Sequence, residues 1–293
     1  MRNVSANAAL EEYRSVGEVL RRDVDGLGIE CWYLPSGPQT ILFLHGNSAG
    51  KEVFFRQFET LADSGYSLLA LDLPGHGGSS NSSNPERDYS IPALALTIRR
   101  LLDDLDVERP LVAGWSLGGH IAIEMAGRGF DLAGLMIFGT PPIGPGGTEF
   151  ERAFVPSEAM QVTLKAERTP LDVAVYLRGL YGRLECIPEA FVALARRADG
   201  RCPACIGAHW SSGTEGCHQR TVVLGWERPL CLVHGDDDVF VCRDYLNSLP
   251  ESGLSLNSLI VLPDVGHAPF LEATEAFNGI LASFARSAFE ERP

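Results

Sequence analysis

Short apolar runs alternate with segments of helical periodicity along most of this chain. Each run ends in glycine, proline or a polar cluster, as buried strands do. The alternation predicts an α/β fold in which helices cover a mostly parallel sheet. Ligands of such sheets bind at the carboxyl ends of the strands, so chemistry is expected just after the runs. The runs are Thr40–Leu44, Ser67–Leu71, Leu111–Ala113, Gly134–Phe138, Leu230–Val233 and Ser258–Leu262.

Helical spacing is clearest in two segments. Pro92 falls in the first turn of one of them, where its missing N–H costs nothing. The residues that share one face of this helix are Leu94, Ile98, Leu101, Leu102 and Leu105. The segment 277–284 repeats this spacing near the C-terminus. Residues 20–33 have the pattern of two antiparallel strands that join the sheet, which gives a predicted total of eight strands.

The segment from Pro145 to Trp226 contains no convincing strand. It holds helical pieces, the glycine-rich turn Ser211–Gly216 and many aromatic residues. A loop of this length without structure would be unusual inside one domain. We therefore predict a helical cap at 145–226 over the strand ends, with a core made of 1–144 and 227–293.

Composition and charge narrow the range of partners. The 293 residues suit one catalytic domain with an insertion, and 38 acidic against 24 basic residues give a net charge of −14. Such a surface repels nucleic acid and anionic membranes, so we expect neither as a partner. The chain shows no run of eighteen apolar residues and no signal-peptide pattern, and its seven cysteines are irregularly spaced. We expect a cytoplasmic protein with reduced thiols, as a monomer or homodimer.

The sequence Gly114-Trp115-Ser116-Leu117-Gly118 matches G-x-S-x-G. The match alone is weak, because such short patterns occur by chance. Its context is stronger, since a predicted strand precedes it and the helix-like segment His120–Ala126 follows. A strand–turn–helix is the setting in which a serine becomes an exposed nucleophile, so Ser116 is predicted to be one rather than part of an ordinary turn.

A serine hydroxyl needs a neighbouring base, and the base needs an orienting carboxylate. His267 follows the last predicted strand and is the candidate base. Asp236, Asp237 and Asp238 follow the strand before it, and Asp238 is the preferred acid. The other usual position for an acid, after Phe138, carries no carboxylate. Nucleophile, acid and base then occur in the chain order expected for this arrangement.

Acyl transfer also needs donors for the developing oxyanion. We predict the backbone N–H groups of Leu117, after the nucleophile, and of Asn47, after the first run of the parallel sheet. The candidates for substrate contact are Asn47, Trp115, Tyr181 and Trp210. We expect most of the cap aromatics to pack in the core of the cap; they are Phe150, Phe154, Tyr176, Tyr181 and Trp210.

Two further motifs are expected to play no part in catalysis. The sharp turn Asp72–Ser79 has the pattern of a structural loop beside the site. Cys202 and Cys205, with Cys217 and His218 beyond, have metal-ligand spacing, but we interpret them as scattered cap thiols. No metal or other cofactor is therefore predicted.

Several motifs together resemble the α/β-hydrolase superfamily, from about Val24 to the C-terminus. They are HGN at His45–Asn47, DLPGHG at Asp72–Gly77, GWSLGG at Gly114–Gly119 and GHAPF at Gly266–Phe270. The stretches His45–Ser48, Gly114–His120, Leu135–Pro142, Ala198–Arg201 and Gln219–Arg220 look like those of metal-independent N-acyl-homoserine lactonases, which are quorum-quenching enzymes. This resemblance implies a triad of Ser116, Asp238 and His267. The lactonase acid is a glutamate, whereas this chain has Asp238.

The sequence therefore predicts a serine hydrolase that cleaves a carboxylic ester or lactone through an acyl-enzyme. The resemblance implies N-acyl-homoserine lactones as substrates. A general carboxylesterase and a carbon–carbon bond hydrolase of meta-cleavage products use the same triad and stay open. A dehalogenase or epoxide hydrolase with an aspartate nucleophile is disfavoured by Ser116, and a ligand receptor is disfavoured by the apparently complete triad.

Overall fold

One eight-stranded sheet runs through the protein, whose computed structural model describes residues 16–146, 149–254 and 258–290. The strands are β1 (Glu18–Val24), β2 (Leu27–Leu34), β3 (Thr40–Leu44), β4 (Ser67–Leu71), β5 (Leu111–Trp115), β6 (Gly134–Phe138), β7 (Leu230–Gly235) and β8 (Leu259–Leu262). Their order in the sheet is β1-β2-β4-β3-β5-β6-β7-β8. Only the β1–β2 and β2–β4 pairs among these strands are antiparallel. The predicted fold class is confirmed.

The central strands are apolar on both faces because both faces are covered. Every residue of β3, β4, β5 and β6 is buried. Strands buried on both faces have continuous apolar sequences rather than alternating ones. This explains why the runs stood out in the sequence.

Helices pack on both faces of the sheet. In the described part of the chain they are α1 (Phe55–Leu61), α2 (Pro85–Asp88), α3 (Ile91–Asp104), α4 (Leu117–Gly127), α5 (Phe150–Ala153), α6 (Glu158–Thr163), α7 (Pro170–Tyr181), α8 (Glu189–Arg197), α9 (Arg201–Ser212), α10 (Gln219–Leu224), α11 (Arg243–Glu251), α12 (Pro269–Glu272) and α13 (Thr274–Glu290), with a 3-10 turn at Lys51–Phe54. In α3 the predicted apolar face is buried except for Leu105, which follows the end of the helix and is partly buried. Ser90 caps the helix by accepting the Ala93 N–H at 3.2 Å. None of the described helices is both long and apolar enough to span a bilayer.

The segment 145–226, here called the cap segment, lies between β6 and β7 and supplies α5 to α10. Polar contacts join it to the segments that follow β3 and β4. The Tyr176 hydroxyl donates to the Asn47 carbonyl at 3.1 Å, and Arg168 donates to the Ser48 hydroxyl at 2.6 Å. Tyr89 donates to Asp199 at 2.8 Å. These contacts join the cap segment to loops at the carboxyl edge of the sheet.

Candidate active site

Ser116 occupies a strained turn between β5 and α4. Its φ of 52° and ψ of −114° lie in a region that costs a side-chain-bearing residue about 1–3 kcal/mol. The Ser116 N–H donates to the Phe138 carbonyl at 2.9 Å, which helps to hold the turn. Glycines let strand and helix approach: a Cβ on Gly114 would lie 2.5 Å from the Gly118 carbonyl oxygen, and one on Gly118 would lie 2.1 Å from that of Leu44. The sequence pattern G-x-S-x-G therefore has a steric cause here.

His267 and Asp238 form a buried pair. His267 Nδ1 lies 2.8 Å from Asp238 Oδ2, and both side chains are almost fully buried. The other carboxylate oxygen accepts the backbone N–H groups of Phe240 at 2.8 Å and Val241 at 3.2 Å. Burial favours a higher pKa for Asp238, but the adjacent His267 and these hydrogen bonds outweigh it and lower the pKa. The carboxylate is thus ionised and aimed at the imidazole.

Three other residues hold His267 in place, and none was identified from the sequence as a support. The Trp115 indole N–H donates to the His267 carbonyl at 2.8 Å. The Glu272 carboxylate accepts the N–H groups of the residues on either side of His267, at 2.5 and 3.3 Å. Gly139 has a φ of 59°, and a Cβ there would lie 3.0 Å from His267 Cε1. The loop and the ring are therefore fixed from both sides.

One cleft brings the predicted nucleophile, base and oxyanion donors together. Ser116, His267, Asn47 and Leu117 all line it. Much of the remaining lining is apolar, including Phe150, Phe154, Met160, Leu164, Leu180 and Ile206. No lysine or arginine belongs to the lining contributed by the described residues. The site therefore suits a neutral, largely apolar ligand.

The two predicted oxyanion donors differ in what fixes them. Leu117 is the first residue of α4, so its N–H has no acceptor within the helix. The Asn47 side chain donates to the Thr163 carbonyl at 3.2 Å and accepts the Ser48 hydroxyl at 3.2 Å. These bonds tie its side chain to the cap segment and set the loop that carries its backbone N–H.

Two of the four residues predicted to contact substrate line the cleft, and two do not. Asn47 and Trp210 line the cleft, whereas Trp115 and Tyr181 do not. Both of the latter are buried behind the cleft, with their ring centroids 5.7 Å apart. We predicted that most of the cap aromatics would pack in the core of the cap. Four of the five instead line the cleft, namely Phe150, Phe154, Tyr176 and Trp210.

Asp72 lies in a buried ionic cluster away from the cleft. Lys51 Nζ is 2.8 Å from both Asp72 and Glu30, and the Asp72 carboxylate also accepts the N–H groups of Lys51 at 2.7 Å and Gly78 at 2.6 Å. These bonds fix the loops after β3 and β4, and they support the structural role predicted for this turn.

The cysteines of the cap segment do not converge. Cys202 is buried, Cys205 Sγ faces Glu86 and Cys217 Sγ faces the Ile123 carbonyl. Within the described ranges, no three His, Cys, Asp or Glu side chains are placed to hold a metal ion.

Comparison with known proteins gives the family. A sequence model of the alpha/beta hydrolase family matches residues 41–280. The dihydrolipoyllysine-residue acetyltransferase component of the acetoin cleaving system of Cupriavidus necator is 26% identical over 88% of this chain and 67% of its own length. The chain covers 56% of the corresponding component of Pseudomonas putida. A 2-hydroxy-6-oxononadienedioate/2-hydroxy-6-oxononatrienedioate hydrolase of Cupriavidus pinatubonensis is 35% identical over 33% of this chain and 34% of its own.

Solved structures point in the same direction. Crystal structures of the N-acyl homoserine lactonase AidH, one with N-hexanoyl homoserine lactone and one with N-butanoyl homoserine, superpose with a TM-score of 0.87. Their sequences are 30% and 31% identical to this one, over 94% of this chain and 100% and 99% of those chains. The similarity to lactonases inferred from the motifs is confirmed, and the chain belongs to the alpha/beta hydrolase family.

Proposed function

We propose that this protein opens the lactone ring of N-acyl homoserine lactones through an acyl-enzyme on Ser116. His267 takes the serine proton as the hydroxyl attacks the ring carbonyl, and Asp238 stabilises the imidazolium. The N–H groups of Asn47 and Leu117 hold the oxyanion. His267 gives the serine proton to the ring oxygen as the ring C–O bond breaks, which leaves the opened chain as an acyl-enzyme. The neutral imidazole then takes a proton from water, and hydrolysis of the acyl-enzyme releases the acyl homoserine and one proton. The observation that carries the proposal is that Ser116 and His267 line the same largely apolar cleft, and that His267 is paired with Asp238.

The walls of the cleft support a neutral substrate with an acyl chain. The cap segment contributes much of this lining, so we propose that it selects the substrate. We propose that no cofactor is used, because Ser116, His267 and Asp238 supply the nucleophile, the base and the carboxylate that the reaction needs. We also propose a cytoplasmic location, because reduced thiols suit that compartment.

Carbon–carbon bond hydrolysis is the second candidate, because one relative is named as a hydrolase of a dioate. A dioate carries two carboxylates, which in a buried site need cationic or multiple N–H partners. The described lining offers no lysine or arginine for them. Lactone opening is therefore the better supported of the two.

The experiment is lactone opening by the purified protein, followed as proton release. N-Hexanoyl homoserine lactone, a p-nitrophenyl ester and a dienoic keto acid are compared. We expect the wild-type protein to turn over the lactone. In Ser116→Ala the rate should fall by at least about 1000-fold, which is the order of loss expected when a triad member is removed. An unchanged rate in Ser116→Ala, or turnover of the keto acid alone, would contradict the proposal. Addition of a chelator is expected to leave the rate unchanged.

A further inference from the structure

His120 is a polar residue in the cleft that the triad does not use. It lies on α4 one helical turn after Ser116, and its N–H donates to the Ser116 carbonyl at 3.2 Å. The residue is only 7% exposed, yet it lines the cleft, and its ring packs edge-on against Trp210 with centroids 4.8 Å apart. Its position next to the nucleophile makes its protonation state relevant to substrate binding.

Gln219 fixes the tautomer of this imidazole. The Gln219 side chain makes two bonds to His120, one to the backbone carbonyl at 3.2 Å and one to Nδ1 at 2.8 Å. The carbonyl can only accept, so the amide NH₂ must face it and the amide oxygen must face Nδ1. Nδ1 therefore carries the proton, and Nε2 has a free lone pair.

Nε2 has no hydrogen-bond partner among the described residues, and two other polar side chains of the cleft are already engaged. The Trp210 indole N–H donates to the Gly144 carbonyl at 2.9 Å, and the Tyr176 hydroxyl donates to the Asn47 carbonyl. Burial lowers the pKa of His120 to about 4, so the ring is neutral at neutral pH. The cleft thus contains a neutral hydrogen-bond acceptor, His120 Nε2, that a donor group of the ligand would satisfy.

We propose that His120 Nε2 accepts a hydrogen bond from an N–H on the carbon next to the scissile carbonyl, so that the site selects α-amido lactones and esters. The His120 N–H donates to the Ser116 carbonyl and both side chains line the same cleft, so the two side chains are neighbours there. A nitrogen on the α-carbon is two bonds from the carbonyl carbon that Ser116 attacks, which places its N–H on the side of the neighbouring imidazole. The inference deepens the proposed function, and for a lactone substrate it rests on that function.

The test compares paired substrates that differ in one atom. α-Hexanamido-γ-butyrolactone is paired with α-hexanoyloxy-γ-butyrolactone, in which an ester oxygen replaces the N–H. A second pair, the p-nitrophenyl esters of N-acetylglycine and of acetoxyacetic acid, serves if the lactones are not turned over. The readout is the amido-to-oxy ratio of kcat/KM in the wild type, His120→Phe and His120→Gln.

We expect the wild type to prefer the amido member by at least about ten-fold, since the oxygen analogue leaves a buried acceptor unpaired. His120→Phe removes the acceptor, and its ratio should fall towards that of unassisted hydrolysis. His120→Gln can donate to Gln219 and still present an oxygen, so it should retain much of the preference. Ile206→Val changes the same cleft without removing a hydrogen-bond acceptor, and its ratio should match that of the wild type.

The outcomes separate the two proposals. Absence of lactone turnover together with an amido preference on the aryl esters would overturn lactonase activity and support the role of His120. Turnover of both lactones with equal ratios in the wild type and His120→Phe would overturn the role of His120 alone. Equal losses on both members of a pair in His120→Phe would mean that the residue only supports the fold, which also contradicts the inference.

Discussion

Replacing Asp238 by asparagine tests how the buried pair works. The carboxylate oxygen that does not face His267 accepts the N–H groups of Phe240 and Val241. An asparagine must therefore keep its carbonyl oxygen there, which turns its NH₂ towards His267 Nδ1. The imidazole would have to accept at Nδ1, and its proton would move to Nε2. A ring in that state cannot take a proton from Ser116.

The size of the effect follows from the charges. The imidazolium formed during attack and the carboxylate are in direct contact, with 2.8 Å between Nδ1 and Oδ2. Two charges roughly 4 Å apart at an effective dielectric constant of about 20 attract by about 4 kcal/mol. Since about 1.4 kcal/mol corresponds to a factor of ten, we expect Asp238→Asn to lower kcat by about 1000-fold, and by up to about 10,000-fold with the wrong tautomer.

The assay is steady-state hydrolysis of the best substrate at pH 7.5, with thermal unfolding measured on the same samples. Asp237→Asn is the matched control, because Asp237 is adjacent but exposed and is paired with Arg183 at the surface. Surface ion pairs contribute about 0–1 kcal/mol, so this variant should behave almost like the wild type. A loss of less than ten-fold in a folded Asp238→Asn protein would refute the reasoning.

Three other predictions follow from single positions. Gly139→Ala places a Cβ 3.0 Å from His267 Cε1, so kcat should fall on the order of 100-fold in a folded protein; an unaltered kcat would argue against a fixed ring. Lys51→Met leaves the buried Asp72 carboxylate without its cation and should lower the urea-derived free energy of unfolding by about 3–5 kcal/mol, whereas a loss below about 1 kcal/mol would contradict this. Burial lowers the pKa of His45 and His120 to about 4 from 6.5. Between these two pH values the unfolded chain binds protons that the folded protein does not. The free energy of unfolding should therefore fall on the order of 1 kcal/mol per pH unit for each histidine as the pH drops from 6.5 to 4. Equal free energies of unfolding at pH 7 and pH 5 would be inconsistent with this.

Much of the fold could be predicted because its signals are local. Central strands such as β3 and β6 begin and end at the predicted residues, since burial on both faces makes them wholly apolar. The carboxyl ends of the strands that lead into turns of the candidate site were predicted less accurately. The strands β5 and β7 continue to Trp115 and Gly235, two residues beyond the apolar runs, because pairing with neighbours extends into the turns.

The lining of the cleft could not be predicted in the same way. Tyr176 and Tyr181 lie on the same helix and have the same chemistry, but only Tyr176 lines the cleft. Which face of a cap helix meets the cleft depends on how the helix docks, here through the bond from Tyr176 to Asn47. His120 did carry a sequence signal, because it lies four residues after Ser116 on a predicted helix. Its free Nε2 depends on Gln219, which is distant in sequence.

Covalent labelling tests the central claim most directly, which is that Ser116 is a nucleophile activated by His267. The protein is treated with a fluorophosphonate, digested, and analysed by mass spectrometry while residual hydrolysis is followed. We predict one adduct per chain on the peptide that contains Ser116, loss of hydrolysis in proportion to labelling, and greatly slowed labelling in His267→Ala. Full labelling of another residue, or hydrolysis that persists in fully labelled protein, would contradict the account.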